Sequence, residues 1–98
     1  MYVILTSKPG QFKTEIGEDM QPVEAYDYLF CGRKRAHFVI ASLTRDARIT
    51  IVDESSPPLA NHVPSKFLAK FETVEAARHE LKSLTRFGNI DTSLVKCS

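Results

Sequence analysis

Three consecutive basic residues, Arg33-Lys34-Arg35, stand in a neighbourhood of rings made by Tyr28, Phe30, His37 and Phe38. Cations meet phosphates and rings stack on bases, so this mixture is what single-stranded nucleic acid requires. The same charges would serve equally as a docking surface for an acidic protein, and Arg45 and Arg48 add to them near the other end of the same region. A basic turn that merely keeps a sheet edge from pairing uses the same residue types. Opposed to these cations is an acidic run, Glu15, Glu18, Asp19, Glu24 and Asp27. Such a run would steer a basic partner or complement the arginines across the fold. Self-complementary surfaces of this kind also allow homodimerisation.

The case for catalysis is thinner. Cys31 precedes His37 by six residues, so the two could approach across a hairpin, with the arginines favouring a thiolate. Cys31 is better explained as a small strand residue. His79 follows Glu75 by four residues, the spacing of a pair on a helix surface. His62 falls in a connection, and Asp53 and Glu54 close a strand ahead of Ser55-Ser56-Pro57-Pro58. No phosphate-binding loop, GxSxG or HExxH pattern is present. Cys31 and Cys97 are far apart, with no CxxC and no closely spaced His/Cys set, so neither a metal site nor a cofactor is expected. That cysteine usage suits a reduced, cytoplasmic protein.

Composition sets the frame for these residues. At 98 residues, 43% hydrophobic and 26% charged, the chain has the makings of a single domain with one modest core. A net charge of +1 argues against a strong overall draw to nucleic acid or acidic lipid, so any charge effect must be local. The opening MYVILTSKPG is too short an apolar run for a signal segment and lacks a basic start. Phe38 to Ala41 is far too short to span a bilayer, and no membrane association is expected.

The elements that must position the basic cluster are three strands between Ala25 and Glu54. Tyr26, Tyr28 and Phe30 alternate with Asp27, Leu29 and Cys31 and therefore share one face. Gly32 supplies a turn, and Asp46 a second one. The middle segment, Phe38 to Leu43, is apolar on both faces, as befits a strand covered on both sides. Ahead of it, Tyr2 to Thr6 and Phe12 to Ile16 read as a hairpin around Lys8-Pro9-Gly10. Pro22 is expected where the sheet has an edge. After Glu54 a loop is expected through Val63, then a helical turn capped by Ser65 with Phe67, Leu68 and Phe71 on its apolar side. Thr73 is an N-cap with Glu75 in the first turn. Val74, Ala77, Leu81 and Leu84 form a helical stripe continued by Phe87, with Arg86 near the end and Gly88 closing the helix. Beyond it, Ile90, Leu94 and Val95 are docking candidates in an otherwise extended tail.

The sequence thus predicts one α+β domain over 1–98: a β meander (1–54), a loop with a short helical turn (55–72), a helix (73–88) and a tail (89–98). About five mainly antiparallel strands, in a sheet or partly open small barrel, would be covered by the C-terminal helix. An arrangement in which one of these strands is a helix is the alternative. The expected function is that of a small non-enzymatic interaction protein, an accessory or regulatory subunit acting on another protein through charged hairpin ends. The alternative is a nucleic-acid-binding module using Arg33, Lys34 and Arg35 with Tyr28 and Phe38, supported by Arg45 and Arg48.

Overall fold

The computed structural model describes residues 1–17, 19–45, 47–54, 59–85 and 92–97. Among the described residues, seven strands and one α-helix follow in the order β1 (Tyr2–Ser7), β2 (Phe12–Glu15), β3 (Met20–Phe30), β4 (Arg33–Leu43), β5 (Arg48–Asp53), β6 (Leu59–Pro64), α1 (Val74–Leu84) and β7 (Thr92–Lys96). All strand pairs are antiparallel. They form a four-stranded sheet, β1-β4-β3-β7, and a three-stranded sheet, β2-β5-β6. The α+β class with mainly antiparallel strands and a C-terminal helix therefore holds, while the expected sheet or partly open barrel of about five strands is, among the described residues, seven strands in two sheets. No described helix is long and apolar enough to cross a membrane.

The doubly apolar pattern of β4 explains the layering. Ala36, Phe38 and Ile40 point to one side and join Tyr28, Ala77 and Leu81 in a buried cluster roofed by α1. Ala41 and Leu43 point to the other side and join Val3, Leu5, Met20 and Ile49 beneath the three-stranded sheet. Strand β1 serves both layers in the same way, with Tyr2 and Ile4 on the helix side and Val3 and Leu5 on the other. A strand with period-two side chains and two covered faces has no polar side to show.

The β1–β2 hairpin expected from Lys8-Pro9-Gly10 pairs its backbone only beside the turn. Gly10 takes φ 78°, and Lys8 pairs with Phe12. Beyond that the two strands diverge, β1 pairing with β4 and β2 with β5. The divergence follows from burial, because β1 must lie inside the central layer. The loop expected through Val63 is also corrected. Residues 59–64 form the exposed edge strand β6, with Ile49 opposite Val63 and Val52 opposite Ala60. Its backbone bonds come from β5, so Ala60, Asn61 and His62 need no strand preference of their own. The tail expected after the helix supplies β7, which pairs Tyr26 to Phe30 with Lys96 to Thr92. Leu94 packs in the helix-side cluster, while Val95 is exposed.

A 3₁₀ turn, Ser65–Phe67, follows β6, but Pro64 rather than Ser65 occupies its N-cap position. Ser65 instead clamps Ala47: its Oγ accepts from Ala47 N at 2.8 Å, and its N donates to Ala47 O at 2.7 Å. The helix begins as expected. Thr73 Oγ1 accepts from Ala76 N at 3.0 Å, Glu75 occupies the first turn, and Ala77 and Leu81 are fully buried. Leu84, at the end of the stripe, is exposed. The expected roles of Asp46, Arg86, Phe87, Gly88 and Ile90 fall outside the described residues.

Candidate functional site at the β3–β4 hairpin end

Cys31 and Gly32 form the two-residue connection between β3 and β4, with φ 51° and 79°. Positive φ at both central positions gives the turn whose twist matches antiparallel strands. The connection delivers Arg33, Lys34 and Arg35 to the first three positions of β4, all of them exposed. Pairing starts with Phe30 opposite Arg33 and Leu29 opposite Lys34, then slips, so that Tyr28 lies opposite Ala36 and Asp27 opposite His37. Arg35 is the extra residue of this bulge. A one-residue slip reverses the faces of everything beyond it.

Two consequences follow at the tip. Lys34 turns to the face of Asp27, and its Nζ lies 3.1 Å from Asp27 Oδ1. Arg35 lies over the Phe30 ring, 5.8 Å from its centroid. Among the described residues, Arg33 and Arg35 meet no carboxylate.

The other residues singled out by sequence are dispersed. Tyr28 and Phe38 are each only 8% exposed and meet edge to face, with centroids 6.5 Å apart, under α1. Their rings are core and are not presented for stacking. Arg45 lies just past the far end of β4, a strand about 33 Å long that starts at Arg33, and there it pairs with Asp19 at 3.0 Å. Arg48 is exposed at the start of β5 in the second sheet. Of the basic residues singled out by sequence, only Arg33, Lys34 and Arg35 therefore stand together, at the tip.

The acidic run is likewise divided. Glu15 is exposed on β2, Asp19 meets Arg45, and Glu18 lies outside the described residues. Glu24 is buried at 6% exposure because a second bulge, between Pro22 and Glu24, turns it toward the helix. There it accepts two hydrogen bonds from Arg78, at 2.6 and 2.5 Å, and one from Tyr26 at 2.9 Å, with Lys96 Nζ at 3.1 Å. These donors, Arg78 foremost, hold its carboxyl down at about 2 against an ordinary 4.5. Burial and the neighbouring carboxylate push the Tyr26 hydroxyl up.

Asp27 faces the opposite way, at 29% side-chain exposure. Its Oδ1 lies 2.8 Å from His37 Nδ1, directly across the strand pair. The His37 hydrogen bond, with help from Lys34 and Cys97, holds the Asp27 carboxyl at about 2 against 3.8. The hydrogen bond to Asp27 raises the Cys97 thiol, which favours the neutral S–H over a nucleophilic thiolate. Beside this cluster, a cleft of about 540 Å³ opens between β4 and the β1–β2 turn, bordered by Lys34, His37, Ser7, Phe12 and Glu54.

The approach of Cys31 to His37 does not occur as anticipated. Cys31 stays exposed in the turn, while His37 lies four residues up β4 from Arg33 and takes Asp27 as its partner. The thiol that does reach this group is Cys97. No protein family, curated protein or solved structure matches this chain. Function must be read from the geometry.

Reasoning from sequence missed Asp27 and Cys97 as members of one cluster. An unslipped register through the two-residue turn sets Asp27 opposite Ala36, and only the bulge at Arg35 brings His37 there. A histidine and an aspartate flanking a tight basic turn were the only available signal.

Proposed function

We propose that this is a small non-enzymatic interaction protein, an accessory or regulatory subunit that docks an acidic segment of another protein on the tip of the β3–β4 hairpin. The observation carrying this reading is the exposure of Arg33 and Arg35 at the start of β4, just after the two-residue turn, without a carboxylate partner among the described residues. Elsewhere the charges of this region answer one another: Arg45 with Asp19, Arg78 with Glu24, and Lys34 with Asp27. A cation pair fixed by a hairpin and left unanswered gives an acidic partner electrostatic steering and two strong donors. The exposed thiols of Cys31 and Cys97 fit a reducing compartment such as the cytoplasm.

The test is fluorescence anisotropy with a labelled poly-glutamate peptide and a labelled single-stranded oligonucleotide, at low and physiological salt. Binding of the peptide in preference to the oligonucleotide, lost in Arg33→Ala/Arg35→Ala, is expected. Tighter, steeply salt-dependent oligonucleotide binding would move the tip to nucleic-acid recognition through phosphates alone. Indifference of the peptide to the double substitution would remove the proposal. The double variant should keep wild-type stability to within about 0.5 kcal/mol, because both side chains lie at the surface.

A further inference from the structure

Asp27, His37 and Cys97 come together on one face of the four-stranded sheet. Asp27 and His37 are directly opposed across β3 and β4. Cys97 continues the β7 ladder one residue past Lys96, its N donating to Ala25 O at 2.7 Å, which sets it beside Asp27 on the same face. A carboxylate oxygen of Asp27, a ring nitrogen of His37 and the Cys97 sulfur all lie within 4.8 Å of one another. The face is open to solvent here, with Asp27 and His37 about a third exposed and Cys97 exposed.

A thiol, an imidazole and a carboxylate form a donor set that calcium and magnesium, which take oxygen ligands, do not favour. Zinc accepts all three, with bonds of about 2.0 to 2.3 Å in a tetrahedron, which sets ligand atoms roughly 3.3 to 3.6 Å apart. The Asp27–His37 separation of 2.8 Å is slightly short of that spacing, and the whole set lies within 4.8 Å. Rotation of exposed side chains closes the difference, while the backbone is held by two adjacent strand ladders. The place already attracts positive charge. Lys34 Nζ stands 3.1 Å from Asp27 Oδ1, and its half-exposed side chain is free to swing into water.

The geometry points to a zinc site with three protein ligands, Asp27, His37 and Cys97, and a water in the fourth position. Zinc displaces the Lys34 ammonium from Asp27, and the Cys97 thiol gives its proton to solvent as the thiolate binds the metal. The site is distinct from the arginine tip, since neither Arg33 nor Arg35 belongs to it.

Cobalt(II), with its thiolate charge-transfer band, is the probe. The reduced full chain is titrated with cobalt, then back-titrated with zinc. A near-ultraviolet charge-transfer band and visible tetrahedral bands are expected, saturating at one cobalt per chain and abolished by one zinc. Cys97→Ser should remove the charge-transfer band, Cys31→Ser should retain it, and His37→Ala should weaken zinc binding more than tenfold. Zinc should also raise the melting temperature of the wild type but not of Cys97→Ser, a substitution at an exposed position that leaves the core intact. Absence of the band at saturating cobalt overturns the assignment. So does a band that survives Cys97→Ser and disappears in Cys31→Ser, or an equal zinc-induced thermal shift in wild type and Cys97→Ser.

Discussion

Glu24 and Asp27 stand three residues apart on β3, yet they face opposite sides of the same sheet and live in different physical worlds. Each takes a partner from the end of β7, Lys96 for Glu24 and Cys97 for Asp27, because neighbouring strand residues alternate between faces. Each carboxyl is held near 2. Beyond that the resemblance ends. Glu24 lies under α1, bidentate to Arg78, which ties the helix to β3 and β7. Asp27 lies in the open, gripped by side chains that can leave. A lowered carboxyl pKa therefore marks a structural clamp on one face and an accessible donor cluster on the other. Burial and the chemistry of the partners separate the two roles, and the pKa does not.

Substitution at the buried end should cost most. Glu24→Ala leaves Arg78, Lys96 and the Tyr26 hydroxyl without their common acceptor. It should destabilise the fold by about 3 kcal/mol, the lower end for breaking a buried pair, since Arg78 is 41% exposed and can turn to water. Urea unfolding measures this, and a loss below about 1 kcal/mol, the range of surface ion pairs, would erase the distinction between the faces.

Acid should reveal the same contrast. Both carboxyls have lower pKa values folded than unfolded, so their contribution is complete above the unfolded values and declines as pH falls toward 2. Wild-type stability should thus drop between about pH 4.5 and 2. Glu24→Gln should flatten that slope more than Asp27→Asn does, because Asp27 is itself more exposed than Glu24, 29% against 6%, and its interactions are more screened. Equal flattening would mean that the helix roof adds nothing to the clamp. The smallest effect is expected for Asp27→Asn at neutral pH, at most about 1 kcal/mol by urea unfolding, as for exposed ion pairs.

The sequence showed those parts whose signals are local. Thr73, Glu75, Ala77 and Leu81 announce α1, Gly32 announces the turn, and Phe38 to Leu43 announces a strand buried on both faces. Pro22 lies where expected too, since among the described residues the β7 ladder reaches no further than Ala25 and leaves β3 an edge at Pro22. Two single-residue bulges were not legible. The slip around Val23 turns Glu24 inward, and the slip at Arg35 moves His37 opposite Asp27. Nothing in Val23 or Arg35 announces either bulge, because it is set by partners elsewhere in the chain. Strand β6 was hidden for a similar reason: Ala60, Asn61 and His62 are extended because β5 pairs with them. The basic tip was visible as charge, whereas the burial of Tyr28 and Phe38 depended on which side the helix would cover.

The sheet order β1-β4-β3-β7 also governs how the molecule is made. During synthesis the β3–β4 hairpin emerges early, with Tyr26, Tyr28 and Phe30 displayed along it. Their roof, Ala77 and Leu81, is translated some fifty residues later, and the flanking strand later still. The nascent chain therefore carries an uncovered aromatic strip until α1 and β7 leave the ribosome. Such distant closure favours folding in milliseconds to seconds rather than microseconds. A chaperone that holds exposed rings would meet this protein as an unfinished hairpin, before the helix and β7 complete the layer.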